Sequence, residues 1–138
     1  MTFVVDNSVA LAWCFEDEQT DAVVALLGRV TQTGALAPQL WPLEATNGLL
    51  MAERRGRITM DQRRRLASFL QSLPISIDDE TASRVWTTTA QLAEQHRLTA
   101  YDAAYLELAQ RLSLPLATYD KPLMAAAQNV GVALLTAD

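Results

Sequence analysis

The chain has 138 residues with one cysteine, Cys14, and one histidine, His96. A lone thiol excludes an internal disulfide, and a lone thiol with a lone imidazole cannot build a Cys- or His-based zinc site. Glycine is also scarce. Gly28, Gly34, Gly48, Gly56 and Gly131 stand alone, so there is no glycine-rich loop to cradle a nucleotide phosphate. No serine or cysteine occupies a nucleophile elbow. A phosphatase with an aspartate nucleophile would want a second acid two residues after Asp6, where Ser8 stands instead. No apolar run approaches the ~20 residues that span a bilayer. Met1-Thr2-Phe3-Val4-Val5-Asp6 meets an acid before any basic stretch, unlike a secretory signal. A soluble cytoplasmic protein without a membrane segment is the expectation.

What is present is an ordinary globular composition, with half the residues hydrophobic and 20% charged. The length suits one domain with a real core, assigned to residues 1–138. Net charge is −5, which by itself argues against a nucleic-acid partner. The distribution is uneven, however. Six of the 11 basic residues fall in one segment: Arg54, Arg55, Arg57, Arg63, Arg64 and Arg65. Such a segment is either a solvated helical surface or a track for a phosphate backbone.

Short β-rich runs alternate with helical patterns. Strands are expected at 2–6, 35–37, 75–77, 116–118 and 132–135. Helices are expected at 7–13, 20–30, 42–55, 60–72, 80–96, 100–112 and 121–129. Pro42 suits a first helical turn and Gly56 a helix stop. About five short strands separated by helices form the pattern of an open parallel sheet covered on both faces. Trp13, Trp41 and Trp86 lie on helical patterns and read as core or interface.

Four acids stand where a strand or loop gives way to a helix: Asp6, Glu44, Asp102 and Asp120. Helix N-termini favour acids through capping and the helix dipole, so each has a structural explanation taken singly. Thr99-Ala100-Tyr101-Asp102 even has capping-box spacing. In a doubly wound sheet, though, those helix starts share the carboxyl edge, where ligands bind. Converging carboxylates repel one another unless cations lie among them, and hard oxygen donors favour Mg²⁺ or Mn²⁺. Ser8 and Thr118, each two residues from an acid, could orient a carboxylate, or could equally cap a helix or sit in a strand. Asn47, one turn after Glu44, would face the same side.

These stretches resemble the PIN-domain ribonucleases of the VapC toxin type. The resemblance rests on Val4-Val5-Asp6-Asn7-Ser8, Pro42-Leu43-Glu44-Ala45-Thr46-Asn47, Leu98-Thr99-Ala100-Tyr101-Asp102-Ala103-Ala104-Tyr105, and Leu116-Ala117-Thr118-Tyr119-Asp120. Their order and spacing extend the likeness over essentially the whole chain. It implies a PIN-like three-layer α/β/α sandwich with a five-stranded parallel sheet. It also implies that Asp6, Glu44, Asp102 and Asp120 are catalytic, metal-binding acids helped by Ser8 and Thr118. The corresponding activity is Mg²⁺-dependent cleavage of RNA by a homodimeric toxin held in check by a VapB-type antitoxin. No further acid follows Asp120 in its turn, a position some members fill. Alternatives are a housekeeping PIN nuclease of RNA maturation, a catalytically silent PIN interaction module and, more remotely, a metallophosphatase.

Overall fold

The computed structural model describes residues 1–135. Its sheet has four strands, β1 (Val4–Val5), β2 (Ala35–Ala37), β3 (Ile75–Ile77) and β4 (Leu116–Ala117), in the order β3-β2-β1-β4. All neighbours run parallel, with Val4 opposite Leu36 on one side and Leu116 on the other. Val4 and Val5 point to opposite faces, yet both are fully buried, so helices cover the sheet on both sides at its centre.

The expected fifth strand is a correction. Within 132–135, pairing is reduced to one parallel bridge, Leu116 to Leu134. Its two hydrogen bonds run from Leu116 N to the Ala133 carbonyl and from Leu135 N to the Leu116 carbonyl, each 2.9 Å. In a two-residue strand, only one residue turns its N–H and C=O toward a given neighbour. Here β4 spends Leu116 on this edge, and the carbonyl of Ala117 accepts from Asp6 N on the other.

The helices are α1 (Asn7–Ala12), α2 (Asp21–Thr33), α3 (Trp41–Arg54), α4 (Met60–Ser72), α5 (Thr81–Arg84), α6 (Ala90–His96), α7 (Ala100–Leu112) and α8 (Lys121–Asn129). Pro42 lies in the first turn of α3, and Gly56 just beyond its end adopts φ +76°, which a side chain would resist. Thr59 and Gln62 close a capping box on α4. The helix expected over 80–96 is interrupted by a wider π turn, Val85–Thr89, between α5 and α6. Trp13 and Trp41 are core residues, but Trp86, on that turn, is 88% exposed. Among the described residues, no helix is long and apolar enough to cross a membrane.

The central helix is α7, in which every residue from Ala103 to Ala109 is buried. A helix apolar nearly all round belongs inside the fold. Its one buried acid, Glu107, is held by Arg111, which also reaches Asp78 (2.7 Å) and Glu80 (3.3 Å) just past β3. That clasp fixes the far end of α7 and so the placement of its first turn.

Candidate active site

The chain runs outward from β1 to β2 and β3, then returns to place β4 on the other side of β1. Strand order therefore reverses between β1 and β4, the crevice where such sheets bind ligands. Asp6 leaves the end of β1 at this point. It is 96% buried and caps α1 by accepting from Ser8 N. Its Oδ2 also accepts from Ser8 Oγ (2.6 Å) and Thr118 Oγ1 (2.8 Å), leaving Oδ1 without a hydroxyl partner. The Ser8 hydroxyl in turn accepts from Tyr119 N (3.0 Å), and Thr118 Oγ1 from Asp120 N (3.0 Å). Ser8 and Thr118 thus lock the ends of β1 and β4 together around one carboxylate.

Glu44 enters from the first turn of α3, after β2. Its Oε1 accepts from the Tyr105 hydroxyl at 2.7 Å, a residue that sequence reading missed. The signal was available, because Tyr105 lies three residues after Asp102 and so on the same face of α7. Its aromatic ring is fully buried in the core. Asp102 sits in the first turn of α7, where Thr99 Oγ1 caps its backbone N–H at 3.1 Å. Asp120 caps α8 by accepting from Leu123 N at 2.9 Å. The capping roles are therefore realised at Asp6 and Asp120.

Electrostatics tie the acids together. Burial raises the Asp6 carboxyl above its ordinary range, against the pull of Ser8 and Thr118. Burial also raises Glu44, opposed by Tyr105 and reinforced by Asp6 and Asp102. Asp102 is pushed up to about 6, first by burial and then by Asp120 and Asp6. Among the described residues no Lys or Arg pairs with any of the four acids. A desolvated, uncompensated set of carboxylate oxygens fits a hard divalent cation.

A tighter group lies elsewhere. Oxygens of Asp78, Asp79 and Glu80 come within 4.8 Å of one another. There, however, Arg111 and Arg84 already supply cations to Asp78 and Glu80, which makes it an ion-pair clasp. Asn47 is exposed and makes no hydrogen bond to the acids among the described residues.

The arginine segment divides in two. Arg57 pairs with Asp17 (2.6 Å) and Glu18 (3.0 Å) and lies 3.9 Å over the Phe15 ring. Arg63 is held by Glu53, and Arg65 by Asp61 at 2.5 Å. Arg54, Arg55 and Arg64 make no ion pair among the described residues. Arg55 lines a groove of about 640 Å³ that also takes in Ser8, Leu11, Met51 and Tyr119, and so opens beside the acids.

Comparison with known proteins agrees with this frame. The PIN-domain family model matches residues 3–129. The chain is 34% identical over 107 residues to Ribonuclease VapC1 of Mycobacterium tuberculosis, covering 76% of this chain and 77% of that protein. It is 27% identical over 123 residues to Ribonuclease VapC3 of Pyrobaculum aerophilum, covering 89% and 92%. The crystal structure of FitAcB from Neisseria gonorrhoeae matches with a TM-score of 0.69 at 18% identity, covering 99% and 98%. That of a Pyrobaculum aerophilum protein matches with 0.68 at 23% identity, covering 91% and 84%. At those identities the two structures speak for the fold alone. Because the family model matches residues 3–129, nearly the whole of the sequence, this chain belongs to the PIN-domain family.

Proposed function

We propose that this chain is a metal-dependent endoribonuclease of the VapC toxin type. One observation supports the reading: at the switch point of the sheet, burial raises Asp6, Glu44 and Asp102, the charges of Asp6 and Asp102 add to the rise of Glu44 and those of Asp120 and Asp6 to that of Asp102, and among the described residues none of the four acids forms an ion pair with Lys or Arg. Asp6, Glu44, Asp102 and Asp120 would hold Mg²⁺ or Mn²⁺. A divalent cation bound there supplies Lewis-acid chemistry, polarising a phosphoryl oxygen and making a bound water more acidic.

The chain's own residues do the rest. Ser8 and Thr118 fix the Asp6 rotamer with one oxygen turned away from both hydroxyls. Tyr105 holds one oxygen of Glu44 and leaves Oε2 without a protein donor among the described residues. Without a cation, Asp102 readily takes a proton, since its carboxyl is pushed up to about 6. Arg55, along the groove, and Arg54 and Arg64 are free to meet phosphates. The exposed Leu43, Ile77 and Trp86, together with the open edge of β3, suit a homodimer interface.

A VapB-type antitoxin is the proposed inhibitor. It would compete for the acids with an arginine and seat apolar anchors in the groove beside α1 and α3. All four acids being intact weighs against a silent interaction module. Purified protein should cleave RNA in Mg²⁺, and both EDTA and Asp6→Asn should abolish cleavage. Full activity in excess EDTA would refute the mechanism. Expression alone should arrest growth, and co-expression of the small protein encoded beside it should restore growth. Harmless expression in the native host, with no neighbouring product bound, would favour a nuclease of RNA maturation instead.

A further inference from the structure

On Asp6, Glu44 and Asp120 the protein already engages one carboxylate oxygen. Asp6 Oδ2 accepts from Ser8 Oγ (2.6 Å) and from Thr118 Oγ1 (2.8 Å). Glu44 Oε1 accepts from the Tyr105 hydroxyl (2.7 Å), and Asp120 Oδ2 from Leu123 N (2.9 Å). Helix capping accounts for the bond at Asp120 and for part of those at Asp6. It does not account for the bond to Glu44, which joins residues 61 apart and closes no helix end.

The donors are themselves fixed. Ser8 Oγ and Thr118 Oγ1 each accept a backbone N–H at 3.0 Å, from Tyr119 and Asp120 respectively. The single hydrogen of each hydroxyl is thus left for the carboxylate. A carboxylate oxygen offers about two acceptor positions, and these two hydroxyls fill both on Asp6 Oδ2. Tyr105 is fully buried within α7, so close packing keeps its hydroxyl on Glu44 and holds that carboxylate in one orientation.

We propose that Tyr105, with Ser8 and Thr118, makes the acidic site discriminate against Ca²⁺, by leaving Glu44 and Asp6 one oxygen each to offer a cation. This rests on the metal-dependent reading above. Ca²⁺ takes about six to eight oxygen ligands and readily uses both oxygens of a carboxylate. Mg²⁺ demands near-octahedral geometry, keeps several waters and is served by one or two carboxylates. Mn²⁺ shares the octahedral oxygen preference. Acids confined to one oxygen each supply what the small cations use and withhold the second oxygens that favour Ca²⁺. Tyr105 acts through Glu44, so it is a positioning residue that sets which cation the site prefers.

The test is calorimetric titration of the purified protein with Mn²⁺ and, separately, with Ca²⁺, and the measured quantity is the ratio of the two affinities. A change in folding or in the charge of the cluster moves both cations in the same direction. A change in the number of oxygens offered moves Ca²⁺ relative to Mn²⁺. The parental protein should prefer Mn²⁺. Tyr105→Phe keeps the ring and frees Glu44 Oε1, and it should narrow the preference by about tenfold. Ser8→Ala combined with Thr118→Val frees Asp6 Oδ2 and should narrow it likewise. Circular dichroism checks both variants, and Tyr105→Phe decides alone if the double variant is unfolded. A parental protein that binds Ca²⁺ as tightly as Mn²⁺ would overturn the proposal. So would a Tyr105→Phe protein whose two affinities fall by the same factor, which would leave the hydroxyl a structural role only. If the parental protein binds neither cation, the metal-dependent reading itself falls, and the proposal with it.

Discussion

Replacing Asp102 with Asn should make the metal-free protein more stable at neutral pH while removing the proposed nuclease activity. Burial, then the charges of Asp120 and Asp6, raise this carboxyl from 3.8 to about 6. At about 1.4 kcal/mol per pKa unit, the full shift corresponds to about 3 kcal/mol against the charged form. The group is only partly buried, and solvent screening reduces that to about 1.5 kcal/mol. Asn also gives up the attraction of a carboxylate to the α7 N-terminus, about 0.5 kcal/mol. The net gain is about 1 kcal/mol, or roughly 4 °C in Tm for a chain of this size. An acid whose folded-state pKa is raised stabilises the fold fully below its unfolded pKa, and that contribution is lost as pH rises through the folded value. The advantage of Asn should therefore be largest near pH 7 and shrink toward about pH 4, where wild-type Asp102 is already protonated. Thermal and urea unfolding in EDTA, followed by circular dichroism across that range, reads it out. Adding Mg²⁺ should reverse the order, because the wild type alone keeps all four acids of the proposed metal site. An Asn variant no more stable than wild type near neutrality, or one with an undiminished advantage in acid, would refute the account of Asp102 as a repelled charge.

Other expectations follow from the same geometry. Tyr105→Phe keeps the buried ring and removes the donor to Glu44, so Mn²⁺ affinity by calorimetry should fall by about 10- to 100-fold with the fold intact. Arg111→Ala strands Asp78 and Glu107, both nearly buried, and should cost about 3–5 kcal/mol in urea unfolding. Asp78 itself is raised by burial but pulled lower overall by Arg111, so its contribution is present above its unfolded pKa and lost as pH falls through its depressed folded value. Loss of Arg111 should accordingly flatten the acid limb of the stability curve. Trp86→Ser should lower the oligomeric state seen by analytical ultracentrifugation if that side chain lies in a dimer interface; an unchanged mass would place the interface elsewhere.

Much of this arrangement was legible along the chain because it is governed by local chemistry. Val4-Val5 before Asp6, Pro42 before Glu44, Thr99 before Asp102 and Asp120 before Pro122 mark strand ends and helix starts through β-branching, fixed φ and side-chain capping. Each acts within a few residues. The parallel sheet followed from the alternation of short apolar runs with helices, and the four acids from their shared position at helix starts. The length of the sheet at its far edge did not follow. Pairing of 132–135 depends on how many residues of β4 face that edge, and the two-residue strand offers only Leu116.

Partnership across the chain was equally hidden. Nothing near Tyr105 in sequence says that its hydroxyl meets Glu44, 61 residues away. Nor does anything near the arginines say that Arg57 and Arg63 are spent on Asp17, Glu18 and Glu53 while Arg55 makes no ion pair among the described residues. Trp86 has a helical pattern around it, yet a π turn carries it into solvent. The sequence by itself determined the elements, the sheet type and the candidate acids, since propensity, capping and hydrophobic spacing act over a turn or a strand. Only the tertiary structure decided which side chains share those carboxylates and which charges stay unpaired, because hydrogen bonds and desolvation depend on distance in space between residues that the chain order keeps apart.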